Sequence, residues 1–271
     1  MEFAIRLSLR FHVLNWAVRY YPILQILKSE GLLADGSLLE IGSGPIGIGG
    51  FRDVPFIGCD LSFATKPKPP MFPIKASAAD LPFSDRTFDV VLSSDVLEHV
   101  PPPLRSKVIS EALRVAEKLV IFGFPCGDAA WESDRELLEV YRKSNRPAPE
   151  WLTEHMDARF PGPELFSGLE GWEVEQLGND NLQFHAWLMR REMSGLFCRA
   201  SKIPMRLAPA IVETALRRTD RAPYYRQMFI LRRRSAASPK HSVQRPSAAA
   251  KHLVPQPEQG SGADGEAGSL E

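Results

Sequence analysis

Residues 38–47 read Leu-Leu-Glu-Ile-Gly-Ser-Gly-Pro-Ile-Gly, and no other stretch limits the folds open to this chain as sharply. A short apolar run ends in a carboxylate and passes directly into a glycine turn, while the next apolar run closes on Asp60. Runs this short, bounded by glycine, read as buried strands rather than helices. The same punctuation recurs downstream. Residues 38–41, 55–60, 73–76, 88–94 and 119–124 are expected strands, and Pro101 to Pro103 open a helix through Glu117, proline being tolerated in a first turn. Residues 172–177 and 226–233 supply a sixth and a seventh strand. Strands that alternate with helices predict an α/β architecture with a doubly wound, mostly parallel seven-stranded sheet and a ligand site at the carboxyl ends of the strands.

The turn itself has a chemistry. Gly42 and Gly44 let the backbone approach a ligand closely, and an acid at the neighbouring strand tip, Asp60, can accept from both hydroxyls of a ribose. Gly42, Gly44 and Gly47 also satisfy G-x-G-x-x-G, the dinucleotide pattern, and an NAD-dependent oxidoreductase is one reading. Glu40 argues against it. A carboxylate two residues ahead of the first glycine repels a pyrophosphate but suits a cationic ligand end, such as the ammonium and sulfonium of S-adenosylmethionine. A glycine turn that binds nothing is the plainest alternative.

Composition excludes several classes. Lysine plus arginine and aspartate plus glutamate balance at 33 each over 271 residues, so no global charge points to nucleic acid. The three cysteines lie far apart with no metal-ligand spacing, which suits a reducing compartment, and no metal is expected. No apolar run approaches the ~20 residues of a membrane span. Arg6, Arg10, His12 and Arg19 interrupt the N-terminus, which does not read as a signal peptide, so a cytoplasmic protein is expected. Charge is unevenly placed: residues 187–234 carry twelve lysines and arginines against three acids. There Arg199, Lys202 and Arg206 interleave with Leu196, Phe197, Ile203 and Leu207, a pattern open to peripheral contact with an anionic membrane, to a lipid-linked acceptor, or to plain solvation.

Leu81-Pro82-Phe83-Ser84-Asp85 and the run Phe88 to Val100, read together with Leu38 to Gly44 and Gly58 to Ser62, resemble the class I S-adenosylmethionine-dependent methyltransferases, in the branch that acts on quinone rings and other small molecules. The resemblance spans roughly residues 36–125. It implies a Rossmann-like methyltransferase fold whose sixth and seventh strands pair antiparallel at the sheet edge. It places Glu40, Gly42 and Gly44 at the methionine end of S-adenosylmethionine, Asp60 on the ribose and Leu61 against the adenine. Two positions depart from the family. Ser77 stands where an aspartate often meets the adenine amino group, with the Ala78 main chain as a substitute, and Ile46 stands where many members have glycine.

After the fourth strand come Asp95, Glu98 and His99. His99, with its tautomer set by Glu98, is the candidate to orient or deprotonate an acceptor hydroxyl, and Asp95 is the second substrate-side candidate; capping and loop packing are the plainer alternative for these residues. His155 lies in an aromatic, irregular stretch with Trp131, Tyr141 and Trp151, of which at least two are expected to be core. The domain should run over 1–234, with a helical, basic insertion at about 180–224 and a disordered tail over 235–271, a stretch without aromatic residues. The expected function is methyl transfer from S-adenosylmethionine to a small-molecule, sugar or lipid-linked acceptor at oxygen, with a quinone-type ring carbon as the next choice. A non-catalytic nucleoside-binding module is the rival from a different class.

Overall fold

A computed structural model describes residues 13–234. The sequence pattern also predicts a helix over residues 3–29; its part before Val13, with Phe3, Leu7 and Phe11, and the 235–271 tail lie outside these residues.

Seven strands form one sheet: β1 (Leu38–Ile41), β2 (Phe56–Asp60), β3 (Met71–Lys75), β4 (Phe88–Ser94), β5 (Ala116–Pro125), β6 (Trp172–Asn181) and β7 (Tyr224–Arg233). Their order is β3-β2-β1-β4-β5-β7-β6. Pairing is parallel from β3 through β5, and β7 runs antiparallel to both β5 and β6. The chain reverses its direction of sheet growth between β1 and β4. Their tips are where open sheets of this kind bind ligands.

β1 is buried at every position, as a strand covered on both faces must be. On one face α1 (Val13–Ser29) lays Ala17, Tyr20, Tyr21, Leu24 and Leu27 over Leu38, Val90, Leu92 and Ile121. On the other α2 (Pro102–Val115) sets Val108, Ile109, Ala112 and Val115 against Leu39, Val91, Val120 and Phe122. Each such side chain contributes about 1.5–3 kcal/mol on burial, so these two layers hold the strand tips in register.

A third apolar cluster sits apart from the sheet faces. α3 (Asp128–Lys143), α4 (Glu150–Glu154) and α5 (Leu182–Glu192) pack Leu137, Leu138, Leu152, Leu188 and Met189 together with Val18 of α1. The sequence pattern predicts a short helix from Pro163 to Leu169; the structure forms only a 3-10 turn over Pro163–Phe166, which seats Phe166 on Phe229 with ring centroids 4.1 Å apart. The expected insertion is helical, in α5, α6 (Gly195–Ala200), α7 (Lys202–Leu207) and α8 (Pro209–Thr219). Its ends differ from expectation, because β6 extends to Asn181 and β7 begins at Tyr224. Both strands lengthen because they pair with each other as far as Asn181 and Tyr224, which the polar residues Asn179 to Asn181 concealed in the sequence.

Candidate active site

The glycine turn after β1 is shaped by what lies beneath it. Gly42, Gly44 and Gly47 all adopt positive φ, a region that strains other residues. A side chain at Gly42 would collide with Val96, and one at Gly47 would collide with the Glu40 carboxylate. Glu40 is 1% exposed and accepts from the Tyr20 hydroxyl at 2.6 Å and from the Ile48 N–H at 2.7 Å. Burial pushes its carboxyl up to about 7, against the opposing pull of those two donors and of Arg19. The loop is tied to the next strand as well: the Gly44 N–H donates to Asp60 Oδ2 at 2.9 Å.

Two cavities open at the strand tips. The first, of about 300 Å³, is lined by Gly42, Asp60, Leu61, Ser77, Ala78 and Val96, among others. Leu61 is 74% exposed at its edge, an apolar surface on which a flat ring can stack. The second, of about 370 Å³, lies under the α3–α5 cap and is lined by Trp16, Arg19, Tyr141, Trp151, His155 and His185, among others. Asp95 and His99 line both. A ligand in one cavity therefore faces a ligand in the other across these two side chains.

The electrostatics of this junction are set by ion pairs from distant elements. Asp95 sits at φ +53°, a strained conformation for a non-glycine residue and one that functional sites tolerate. Its carboxylate accepts from Arg226 Nε and Nη2 at 2.7 and 2.8 Å and lies 3.1 Å from Arg19. Burial would raise its pKa, but Arg226 and Arg19 outweigh this and hold it down to about 2. Arg226 donates its remaining Nη1 to Asp180 at 2.8 Å. Asp180 also contacts His185 Nδ1 at 2.7 Å.

His99 Nδ1 lies 2.7 Å from Glu154, at the end of α4. Burial and the neighbouring His155 push the His99 pKa below its ordinary value, outweighing the upward pull of Glu154. Near neutral pH its ring is therefore uncharged, with the proton on Nδ1 facing Glu154 and a lone pair on Nε2. His155 ends α4 with its ring centroid 4.8 Å from that of His99. Its Nδ1 is 2.6 Å from Asp134 Oδ2, which also accepts from the Tyr225 hydroxyl at 2.7 Å.

Several sequence expectations change here. Glu40 lines neither cavity; one of its oxygens accepts from the turn at Ile48 and the other from Tyr20 of α1. The Gly44 N–H is taken by Asp60, and the Ser77 hydroxyl accepts from the Ala79 N–H at 3.2 Å, although Ser77 and Ala78 do line the first cavity. Asp95 is paired with two arginines that hold its pKa low, which makes it a poor proton acceptor near neutral pH. Glu154, not Glu98, partners His99. Tyr141 and Trp151 line the second cavity, whereas Trp131 donates its indole N–H to the His155 carbonyl and lies under Arg159. Arg19, Asp134, Glu154, Asp180, His185 and Arg226 were missed; apart from the local Asp180–His185 pair, each meets its partner only through the folding of a separate element.

The model of a methyltransferase domain family matches residues 56–122, the segment from β2 to β5 that carries Asp60, Ser77, Asp95 and His99. A search of curated proteins finds no match. Among solved structures, the chain is similar to magnesium protoporphyrin IX methyltransferase from Synechocystis PCC 6803, at 14% identity and TM-score 0.46, over 82% of this chain and 83% of that one. It is also similar to an S-adenosylmethionine-dependent methyltransferase from Thermotoga maritima, at 18% identity and TM-score 0.39, over 81% and 93%. Residues 56–122 are thus similar to a methyltransferase domain, and they lie in a sheet whose strand order and glycine turn facing Asp60 frame the first cavity.

Proposed function

We propose that this chain is a class I S-adenosylmethionine-dependent methyltransferase that places S-adenosylmethionine in the cavity of Gly42, Asp60 and Leu61 and methylates an oxygen of an acceptor held under the α3–α5 cap. One observation carries the reading: the two cavities share Asp95 and His99, so an acceptor atom and a methyl donor meet beside a neutral imidazole. The residues present suit the cofactor. The positive-φ turn at Gly42 leaves room for a close backbone approach, Asp60 is placed for ribose hydroxyls, and Leu61 offers its exposed side chain to the adenine. Glu40 acts at one remove, by fixing the turn through Ile48.

When bound, the cofactor supplies the electrophilic methyl group and a neutral thioether leaving group. The protein has to orient the acceptor, exclude water and handle one proton. Trp16, Tyr141 and Trp151 give the second cavity aromatic walls, and the α3–α5 cap covers one side of it. A hydroxyl acceptor needs its proton removed as it attacks, and His99 is the group at the junction with a lone pair to act on it. Asp95 keeps Arg19 and Arg226 in place beside that reaction.

The acceptor class includes lipid-linked molecules because of the surface beside the cap. Leu196, Ile203, Leu207 and Ile211 on α6, α7 and α8 are 76%, 60%, 76% and 71% exposed, and Arg199 and Arg206 are exposed among them. Apolar side chains ringed by cations suit the edge of an anionic bilayer. No helix among the described residues is long and apolar enough to cross a membrane.

The test is isotopic. Purified enzyme and S-adenosylmethionine carrying a labelled methyl group are incubated with aqueous and lipid extracts, and the products are read by mass spectrometry. A labelled methyl ether or ester is expected. Label found only on carbon or nitrogen would overturn the oxygen reading.

A further inference from the structure

The second cavity contains an arrangement that methyl transfer alone does not require. Glu98, His99 and His155 each offer a ligand atom, and these atoms all lie within 4.8 Å of one another. Glu98 is 5% exposed and His155 4% exposed. Among the described residues, neither Glu98 carboxylate oxygen nor His155 Nε2 has a hydrogen-bond partner. A carboxyl group buried without a hydrogen-bond partner is an exception among folded proteins and calls for a ligand. Nearby cations do not supply the missing contact. Arg226 and Arg19 are directed at Asp95, and Arg105 donates to the backbone carbonyls of Val100, Arg159 and Glu98.

Both imidazoles are already oriented as metal ligands are. A ligating histidine usually holds a carboxylate on its other nitrogen, which fixes the tautomer and raises the basicity of the ligating atom. Here Glu154 sits on His99 Nδ1 at 2.7 Å and Asp134 on His155 Nδ1 at 2.6 Å, so Nε2 is the ligating nitrogen of each ring. Asp134 is held in turn by the Tyr225 hydroxyl. Ligand atoms around a tetrahedral ion at about 2.1 Å lie about 3.4 Å apart, so modest side-chain rotation closes this set.

We propose that Glu98, His99 and His155 form a binding site for a divalent first-row transition-metal ion, Zn²⁺ by its donor set, with the acceptor oxygen taking an open position. Two imidazoles and one carboxylate suit such ions better than Mg²⁺ or Ca²⁺, which prefer all-oxygen sites. Three protein ligands leave room for an exogenous oxygen, as in catalytic rather than structural zinc sites. The ion would act as a Lewis acid: a hydroxyl held on it releases its proton to water at a lower pH than a free hydroxyl does. His99 then acts on the acceptor through the ion. The metal site stands on its own geometry, while its use in activating an acceptor rests on the proposed oxygen methylation.

The test begins with full-length protein stripped of metal by a chelator and titrated with Co²⁺, which reports ligation by its visible d–d bands. Saturable binding of one equivalent is expected, with bands of a four- or five-coordinate nitrogen–oxygen site. Glu98→Gln and His155→Gln should each weaken binding at least ten-fold. Should one variant fail to fold, the other carries the same comparison. In the same samples S-adenosylhomocysteine affinity, read by calorimetry, should be unchanged, so that loss of the metal and loss of the cofactor are told apart. No saturable equivalent, or binding that a folded variant leaves intact, would overturn the site. Methyl transfer to oxygen that persists at full rate in metal-free enzyme would overturn the role of the ion and leave the proposed function standing.

Discussion

Arg226→Met is expected to destabilise the protein by about 3–5 kcal/mol, the scale for removing one partner of a buried ion pair. Arg226 is 3% exposed and donates to Asp95 twice and to Asp180 once, at 2.7 to 2.8 Å. Methionine fills much of the same space but leaves two buried carboxylates facing each other without their shared cation. The same arrangement fixes a pH dependence. The Asp95 carboxyl has a native pKa of about 2, below its ordinary 3.8. A depressed carboxyl pKa contributes stability that is present above the unfolded value and is lost as pH falls through the folded one. In the wild type this contribution should fade between about pH 4 and pH 2, and Arg226→Met should reduce the fade. Urea denaturation followed by fluorescence, at pH 7 and pH 3, measures both. A loss under 1 kcal/mol at pH 7 would mean that Asp95 and Asp180 find other partners. Adding Asp95→Asn should recover part of the loss, since it removes one of the stranded charges.

His99→Ala is expected to lower kcat by about 10²–10⁴-fold, the range that acid–base assistance contributes, while S-adenosylhomocysteine affinity changes little. His99 lies at the junction of the two cavities, whereas Gly42, Asp60 and Leu61 carry the expected cofactor contacts. Its lowered pKa sets the direction of the pH profile. The active form is the uncharged ring, so wild-type kcat should be level near pH 7 and fall only below the ordinary histidine range. In His99→Ala this acid limb should disappear. Steady-state kinetics over pH 5 to pH 9 with the acceptor found by isotope labelling gives both readouts. A variant that keeps full kcat would remove His99 from the chemistry and leave it a packing residue.

How much of this was legible in the sequence depends on the distance between partners along the chain. The strand 88–94 could be read to the residue, because a run apolar through its middle, Val90 to Leu92, between two polar turns fits a strand covered on both faces. β1 was equally clear. The Asp60-to-Gly44 link rests on a local strand–turn–strand pattern and could be foreseen in kind. The second cavity could not. Its histidines come from the loop after β4, the end of α4 and α5, and each takes its carboxylate from Glu154, Asp134 or Asp180. Only for His185 does that partner lie within a turn or so of the same segment. Glu98 looked like the natural hydrogen-bond partner of His99, but Glu154 reaches the His99 Nδ1 from the cap instead. Arg226 read as one more cation in a basic stretch. Its burial follows from β7 lying between β5 and β6, which no local pattern announces.

The account stands on a cofactor held between the glycine turn and the tip of β2. Calorimetric titration of S-adenosylhomocysteine into wild type and Asp60→Ala tests that most directly. The wild type should bind one equivalent per chain. Asp60→Ala should bind more weakly by about 1–3 kcal/mol, the scale for charged hydrogen bonds lost from a partly buried site, or roughly five- to 150-fold. Equal affinity in the two proteins would contradict the account.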